Sequence, residues 1–325
     1  MDGFIMTVLK DIGTFLEKSG WLEPPLSVEF LAAGEYNENF LVTDAHAGKS
    51  VFRVNHGSQL GLTDQIKYEF RVLEAVMPSG VTPVPYHVDP SPEPVAGGAL
   101  LMEFLPGVPL DYSKDHAAAA DIFARIHALA PPAGLVTQER PVLDIAAESR
   151  GLLIRFPDHP LEGERKTLLE YHDTIARLGE DSLWLFEGEP LCIVNTEVNS
   201  HNFLINREKS YLVDWEKAVT SCRYQDLGHF LTPTTTRWRG DYVYSEEEKR
   251  RFLRLYHGAV ATGVPFEELC EKTRILERTI ILRGLSWCFM AYYEYTKGRR
   301  ALKSEYTFRK IKEYLSDIPW FLSAV

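Results

Sequence analysis

Apolar residues in the first twenty positions recur at the spacing of a helix that buries one side. They are Ile5, Val8, Leu9, Ile12, Phe15 and Leu16. Gly20 follows them and ends the predicted helix. Acidic residues at positions 2 and 11 are not typical of a signal peptide, and the polar side lacks the basic excess of a membrane-surface helix. We therefore predict an amphipathic helix that packs on the protein's own core.

Three short runs rich in apolar and β-branched residues come next, separated by turns rich in Gly, Asn and Asp. They predict strands at 27–33, 39–45 and 50–55. Helical spacing returns at about 63–77, and Pro83 and Pro85 then break the chain. The run ALLMEFLPG predicts a buried strand that leads into a turn at Gly107. This pattern indicates a small lobe built from an antiparallel sheet and one packed helix.

From about residue 115 onwards, helical periodicity dominates. Helices are predicted at 117–129, 146–156, 165–178, 246–261, 272–295 and 305–315. A short β-rich stretch at 191–215 interrupts them. The predicted fold class is α+β with two lobes: residues 1–104 form the N-terminal lobe, and residues 105–325 form a larger helical C-terminal lobe. A hinge is expected at 103–107.

Composition and charge limit the classes of function. The chain has 325 residues, and a net charge of −11 argues against nucleic-acid binding, which needs a basic face. This charge is compatible with a cationic substrate, although an ordinary acidic surface is the simpler interpretation. The four cysteines show no zinc-ligand spacing, and no run approaches the roughly 20 apolar residues of a membrane span. We expect a cytoplasmic protein that binds neither nucleic acid nor membrane; its oligomeric state stays open.

The segment LCIVNTEVNSHNFLI places polar residues on a tight loop between two apolar strands. Glu197 and Asn202 lie on this loop, and a further strand, YLVDW, ends near Asp214. Phosphoryl transfer needs such a set: one carboxylate to orient or deprotonate the attacking hydroxyl, and an amide and a second carboxylate to hold Mg²⁺. The five-residue spacing from Glu197 to Asn202 also matches the acid-to-amide spacing of kinase catalytic loops. We predict Glu197 as the catalytic residue and Asn202 and Asp214 as metal ligands.

Across roughly residues 28–235 the chain resembles the aminoglycoside phosphotransferase and choline kinase family, whose fold is similar to that of protein kinases. The resemblance implies that the turn from Gly34 through Glu35, Tyr36 and Asn37 to Glu38 covers the nucleotide phosphates. It implies that Arg53 contacts phosphate and pairs with Glu69. It also implies that backbone groups of Glu103, Phe104 and Leu105 meet a purine. IFARIHAL and YQDLGHFL resemble family segments in which His127 and Asp226 are structural.

The catalytic loop departs from the family pattern, which is close to His-Gly-Asp, four residues, then Asn. Here Asn195 replaces the histidine and Glu197 replaces the catalytic aspartate. The extra methylene moves the carboxylate by about 1 Å, and a misplacement of that size can cost about a hundredfold in rate. A shifted backbone or a differently placed hydroxyl would compensate.

The leading interpretation is a Mg²⁺-dependent kinase that uses ATP or GTP. The resemblance implies an amino-sugar, amino-alcohol or similar metabolite as the hydroxyl acceptor. The alternatives are a catalytically weak or inactive nucleotide-binding regulator and a nucleotidyl transferase of the same fold. The segment SWCFMAYYEYTKG carries Trp287, four other aromatic residues and Glu294, which suit a cationic substrate, but such a run more often packs a core.

Overall fold

A five-stranded antiparallel sheet forms the N-terminal part of the protein. We describe a computed structural model over residues 2–260, 263–298 and 305–324. The strands are β1 (Ser27–Ala33), β2 (Asn37–Thr43), β3 (Lys49–Asn55), β4 (Pro85–Asp89) and β5 (Gly98–Glu103), in the order β1-β2-β3-β5-β4. Helix α1 (Asp2–Ser19) precedes the sheet, and α2 (Gln65–Val76) connects β3 to β4. The predicted first helix, strands and second helix are therefore present, with ends shifted by one to three residues.

The sheet is covered on both faces, and the alternation along β3 assigns each side chain to one of them. Phe52 and Val54 lie in the cluster that also contains Ile12 of α1, whereas Val51 lies in the cluster that contains α2 residues. Successive side chains of a strand point to opposite faces, so Arg53 shares the α2 face with Val51. The alternation along β3 thus directs the Arg53 side chain toward α2.

Strand β4 was not predicted from the sequence. Pro85 begins this strand, and among the described strands β4 pairs only with β5, so it lies at an edge of the sheet. A proline cannot donate a hydrogen bond to a neighbouring strand, and edge strands tolerate this loss. The prolines break the chain between the helical segment and the next strand, as expected, and Pro85 is also the first residue of that strand.

The remainder of the chain is helical apart from two small sheets. One pairs β7 (Leu191–Val194) with β10 (Val219–Cys222), and the other has the order β6-β8-β9, with β6 (Val108–Pro109), β8 (Phe203–Ile205) and β9 (Tyr211–Leu212). The longer helices are α3 (His116–His127), α4 (Pro141–Ile154), α5 (Glu162–Asp181), α7 (Tyr224–Leu231), α9 (Glu246–Ala259), α10 (Phe266–Thr296) and α11 (Glu305–Ser316). The short ones are α6 (Leu183–Phe186), α8 (Pro233–Thr236) and α12 (Ile318–Ser323). In the described part of the chain, no helix is both long and apolar enough to span a bilayer. The predicted α+β fold class is confirmed; β10, α7 and α8 were not predicted.

Helix α10 is 31 residues long and forms the centre of the helical part, where it packs against α4, α5, α7 and α11. Gly228 of α7 marks the closest approach. A Cβ at this position would lie 2.8 Å from the backbone nitrogen of Glu277 and 2.9 Å from the carbonyl carbon of Leu276. The absence of a side chain therefore allows α7 to lie directly on the backbone of α10.

We expect Gly228→Ala to destabilise the protein by about 1–3 kcal/mol, because the added methyl group meets backbone atoms that cannot rotate away. Denaturant unfolding followed by circular dichroism measures this change. Gly258 is the matched control, since it is an exposed glycine of α9 at which an added Cβ would meet no heavy atom within 4 Å. Gly258→Ala should leave stability unchanged or raise it by up to about 1 kcal/mol. Equal effects of the two substitutions would contradict the close approach.

Candidate active site

Three carboxylates meet where the two lobes face each other. One ligand oxygen from each of Glu197, Asp214 and Glu216 lies within 4.8 Å of the other two. Glu197 follows β7, and Asp214 and Glu216 precede β10. Val194 pairs with Val219 in the β7–β10 sheet, so the two polar segments begin at adjacent positions. The pairing of these two strands therefore creates the acidic cluster.

The loop after β7 is held by a carboxylate that lies beneath it. Asp226 is fully buried and accepts the backbone N–H groups of Asn195 (2.8 Å) and Thr196 (2.9 Å). The Nε2 atom of His127 lies 3.3 Å from the same carboxylate, and its Nδ1 atom lies 2.9 Å from the Tyr256 hydroxyl. Asp226 and His127 thus have structural roles, as the sequence indicated.

Asn195 joins the two segments that carry the carboxylates. Its Nδ2 atom donates to the carbonyl of Asp214 (2.8 Å), and its Oδ1 atom accepts the N–H of Glu197 (3.0 Å). Thr196 and Asp214 both have positive φ angles, 64° and 66°. The Thr196 hydroxyl donates to the carbonyl of Lys217 at 2.9 Å, which holds its strained conformation in place. The residue that replaces the family histidine therefore fixes the position of Glu197 relative to Asp214.

Asn202 is fixed next to both segments. Its Nδ2 atom donates to the carbonyl of Glu197 (2.7 Å), and its backbone carbonyl accepts the N–H of Val213 (2.8 Å). With its amino group engaged, the amide has its oxygen as the ligand atom for a hard cation.

Arg53 connects the N-terminal sheet to the acidic cluster. Its guanidinium pairs with Glu69 of α2 and lies 3.1 Å from the Asp214 carboxylate, while Nε donates to Asn39 (2.9 Å). Burial opposes the positive charge, but Glu69 and Asp214 outweigh it and hold the pKa of Arg53 above its ordinary value. The ion pair that the resemblance implied is present, and it extends to a residue of the acidic cluster.

Glu216 was not singled out from the sequence, although it is central to the site. It accepts from Nδ2 of Asn37, and Gln59 donates to it at 3.3 Å and to Glu197 at 3.2 Å. It lies two residues after Asp214 in the polar stretch between β9 and β10, and this closeness in sequence is the signal that could have revealed it.

The carboxylates of the cluster disfavour one another's charge. Burial, together with the neighbouring charges of Asp214 and Glu197, raises the pKa of Glu216 to about 9. Burial also raises the pKa of Glu197; Asp214 adds to this effect, and Lys217 and Arg283 oppose it. A set of crowded hard oxygen ligands, including the Asn202 amide, fits Mg²⁺, which prefers carboxylate and carbonyl oxygens. The residues present could therefore hold a divalent cation.

The predicted phosphate-covering turn lies against the C-terminal part. Gly34 closes the turn by donating its N–H to the carbonyl of Asn37 (2.8 Å), and Glu35 accepts from the Tyr295 hydroxyl (2.7 Å). The ring of Tyr36 occupies the space beside Gly57, where a Cβ would lie 2.8 Å from it. The Asn37 side chain binds Glu216, so this turn contacts the acidic cluster directly.

The predicted hinge follows β5. The N–H of Glu103 already donates to the carbonyl of Val84 at 2.8 Å, so this donor is engaged within the sheet. Leu105 is buried and Phe104 is half-buried, with the Lys49 ammonium 5.8 Å from its ring centre. A purine at the hinge would therefore form hydrogen bonds with backbone groups that follow the Glu103 N–H along the chain.

A cavity of about 360 Å³ opens beside Glu197, between the 34–35 turn and helices α7, α8, α10 and α11. Its lining includes Lys217, His229, Trp238, Arg239, Arg283 and Trp287. Of the aromatic segment in α10, Phe289 and Tyr293 are buried in the core, and Glu294 lies 3.7 Å from Arg155. Most of this segment therefore packs in the helical core. Trp287 is the aromatic residue of the segment that lines the cavity.

Comparison with known protein families identifies the family of this chain. Residues 27–265 match the family described as the phosphotransferase enzyme family. This chain belongs to that family. A sequence comparison with curated proteins finds no match to this chain. The family places the chain among the enzymes that transfer a phosphoryl group to an alcohol group, as the sequence indicated.

Solved structures of low identity share the fold. An ethanolamine kinase from Plasmodium vivax aligns with a TM-score of 0.65 at 14% identity, covering 92% of this chain and 83% of that one. A choline kinase from Cryptosporidium parvum gives 0.64 at 14% identity, with 96% of each chain covered. An aminoglycoside phosphotransferase in a ternary complex with ADP and hygromycin B gives 0.61 at 15% identity, covering 96% of this phosphotransferase and 97% of the other. These alignments show that the protein-kinase-like fold extends over nearly the whole chain.

Proposed function

We propose that this phosphotransferase moves the γ-phosphoryl group of ATP or GTP to a hydroxyl of a small metabolite, with Mg²⁺ bound at the acidic cluster. The observation that carries the proposal is the convergence of Glu197, Asn202, Asp214 and Glu216 beside a cavity large enough for a small acceptor. A purine at Glu103–Leu105 would place its phosphates toward Arg53 and the 34–37 turn. The ADP and hygromycin B found together in the related phosphotransferase support a nucleotide and an acceptor bound side by side.

Glu197 is the residue proposed to act on the acceptor. Its carboxylate orients the hydroxyl; as the hydroxyl oxygen bonds to the γ-phosphorus, the bond to the β-phosphate oxygen breaks and the hydroxyl proton passes to Glu197. The raised pKa of Glu197 favours holding this proton. Asn202, Asp214 and Glu216 would hold Mg²⁺, which supplies neutralisation of charge on the phosphates. Arg53 adds a positive charge between Glu69 and Asp214.

The test is turnover. Purified protein is incubated with Mg-ATP or Mg-GTP and a panel of small alcohols, and phosphorylated product is detected by mass spectrometry. Transfer to any acceptor supports the proposal. Tight binding of Mg-nucleotide without transfer or nucleotide hydrolysis favours the regulatory alternative, and transfer of a nucleotidyl group favours the nucleotidyl transferase.

Magnesium should stabilise the protein more strongly as the pH rises. The pKa of Glu216 stands at about 9 in the folded protein against an ordinary 4.5, so its protonated form stabilises the fold fully below about pH 4.5 and this stabilisation is lost as pH rises toward 9. Mg²⁺ binds the deprotonated cluster and replaces the lost stabilisation. The rise in Tm on adding Mg²⁺ should therefore be greater at about pH 8.5 than at about pH 6. Glu216→Gln should remove most of this difference, and an equal Mg²⁺ effect at both pH values would contradict the metal site.

A further inference from the structure

Part of the cavity wall beside the acidic cluster is positively charged. Lys217 follows Glu216 in sequence, Arg283 belongs to α10, and Arg239 follows α8; all three line the cavity. These side chains carry donors and no acceptors. Among the described residues of the lining, the only acidic side chains are Glu35 at the turn and the three members of the acidic cluster.

These three cations are not neutralised by ion pairs. Among the described residues, no carboxylate lies within 4.0 Å of the charged groups of Lys217, Arg239 and Arg283. Arg283 donates one hydrogen bond, at 3.3 Å, to the carbonyl of Thr196, and Arg239 lies 5.2 Å from the ring centre of Tyr306. Lys217 is only 8% exposed, and no hydrogen-bond partner of its ammonium lies among the described residues. A buried ammonium group without a partner is costly, which is a sign that a ligand completes its environment.

The acidic residues nearby do not explain Lys217 as a simple counterion. Glu148, Glu197 and Glu216 interact with Lys217 at longer range, and Glu148 and Glu197 interact in the same way with Arg283. None of the three comes within ion-pair distance of the Lys217 ammonium. Thr234 and Thr235 of α8 also line the cavity, but their Oγ1 atoms are buried beneath its surface, so the donors of the wall are the three cations. The wall therefore offers donors to a group rich in acceptors.

Building on the proposed function, we propose that the acceptor carries an anionic group, a carboxylate or a phosphate ester, which binds Lys217, Arg283 and Arg239 while its hydroxyl lies at Glu197. Such a group supplies the oxygen acceptors that the wall lacks, and charged hydrogen bonds to it are the strong kind. In the proposed arrangement Mg²⁺ and the acceptor hydroxyl occupy the acidic cluster, so Glu35 is the remaining acidic residue of the described lining. A cationic amino-alcohol or aminoglycoside would then place its charge beside the three cations, which favour an anionic acceptor over the cationic ones that the family resemblance suggested.

The experiment uses matched acceptors that differ in one substituent. Glucuronate, glucose 6-phosphate, glucose and 6-amino-6-deoxyglucose form one series, changed at C6; glycerate, glycerol 3-phosphate, glycerol and 3-amino-1,2-propanediol form the other. Phosphorylation is followed with Mg-ATP, and binding is followed by calorimetry in the presence of a non-hydrolysable ATP analogue. In at least one series we expect an anionic member to exceed the neutral and cationic members by about tenfold or more in kcat/KM or affinity. The carboxylate and phosphate members separate the two sources of negative charge.

Lys217→Met is the diagnostic variant. It should lower kcat/KM or affinity for the preferred anionic compound about 10- to 100-fold, mainly through KM, because one charged hydrogen bond is lost. Lys217 also opposes the rise in the pKa of Glu197, so any loss through that pKa is common to both compounds. The loss for the anionic compound should exceed the loss for the neutral one by about tenfold or more, and Lys217→Arg should retain part of the anion preference. Lys312, an exposed residue of α11 beside the Phe308 ring, provides the control, and Lys312→Met should change neither value.

The outcomes separate this inference from the proposed function. Preference for a cationic member, or an equal loss for anionic and neutral compounds in Lys217→Met, would overturn the anionic acceptor while leaving the kinase intact. Absence of anion binding in both series would overturn it as well. Absence of Mg-nucleotide binding would instead remove the proposed function.

Discussion

Replacement of Glu197 by glutamine is expected to lower kcat about 10²- to 10⁴-fold, the usual contribution of a positioned general base. The amide keeps the size of the side chain and can still accept a hydrogen bond from Gln59, which donates to Glu197 at 3.2 Å. It cannot take the hydroxyl proton. Nucleotide affinity should change by less than about threefold if Glu197 acts on the acceptor rather than on the metal. Single-turnover kinetics and nucleotide titration measure the two quantities separately.

Glu197→Asp provides the matched control, because it restores the residue of the family pattern and keeps the charge. In this protein Asn195 and Asp226 hold the backbone of the loop, so a shorter side chain would place its carboxylate further back. We therefore expect the shorter carboxylate, displaced by about 1 Å, to be about a hundredfold slower rather than faster. Activity unchanged by Glu197→Gln would remove Glu197 from the mechanism.

Asp226→Asn should produce the largest loss of stability. The buried carboxylate accepts two backbone N–H groups of the loop, from Asn195 and Thr196. An amide has one acceptor oxygen and directs an amino group toward the other N–H, which leaves that donor unsatisfied. We expect a loss of about 3–5 kcal/mol in the free energy of unfolding, together with a loss of turnover because Glu197 moves with the loop. Denaturant unfolding and the transfer assay check both parts.

Asp121→Asn is the control for that substitution. Asp121 is more than half exposed and pairs with Arg125 one turn later in α3. Exposed pairs of this kind contribute about 0–1 kcal/mol. A similar small effect of Asp226→Asn would show that the loop keeps its conformation without the buried carboxylate.

Part of the candidate site could be predicted from the sequence because some of its residues lie close together along the chain. Glu197 and Asn202 share one loop, and Asp214 follows the next strand but one, so their spacing in the sequence indicated a site. Arg53 and Glu69 came from the family resemblance. Glu216 directly follows the YLVDW segment but was not recognised, since a carboxylate after a buried tryptophan has no obvious role until its neighbours are known.

The residues that join the lobes gave no local signal. Gln59 bridges Glu197 and Glu216, and Asn37 binds Glu216 from 179 positions away. Polar amides in loops and strand starts are common, and only the closed arrangement of the two parts shows which carboxylate they meet. The same holds for Arg283, whose helix was predicted without a role for this residue.

The sequence by itself determined the element types, the α+β class and the loop that carries Glu197 and Asn202, because hydrophobic periodicity and turn residues act over short distances. Tertiary structure alone decided that Glu216 completes the acidic cluster and that Lys217, Arg239 and Arg283 face one cavity. These groups come from separate elements, and burial, charge and hydrogen bonding act between elements only after the chain has packed. The nature of the acceptor is therefore a property of the folded cavity, and the family motifs do not contain it.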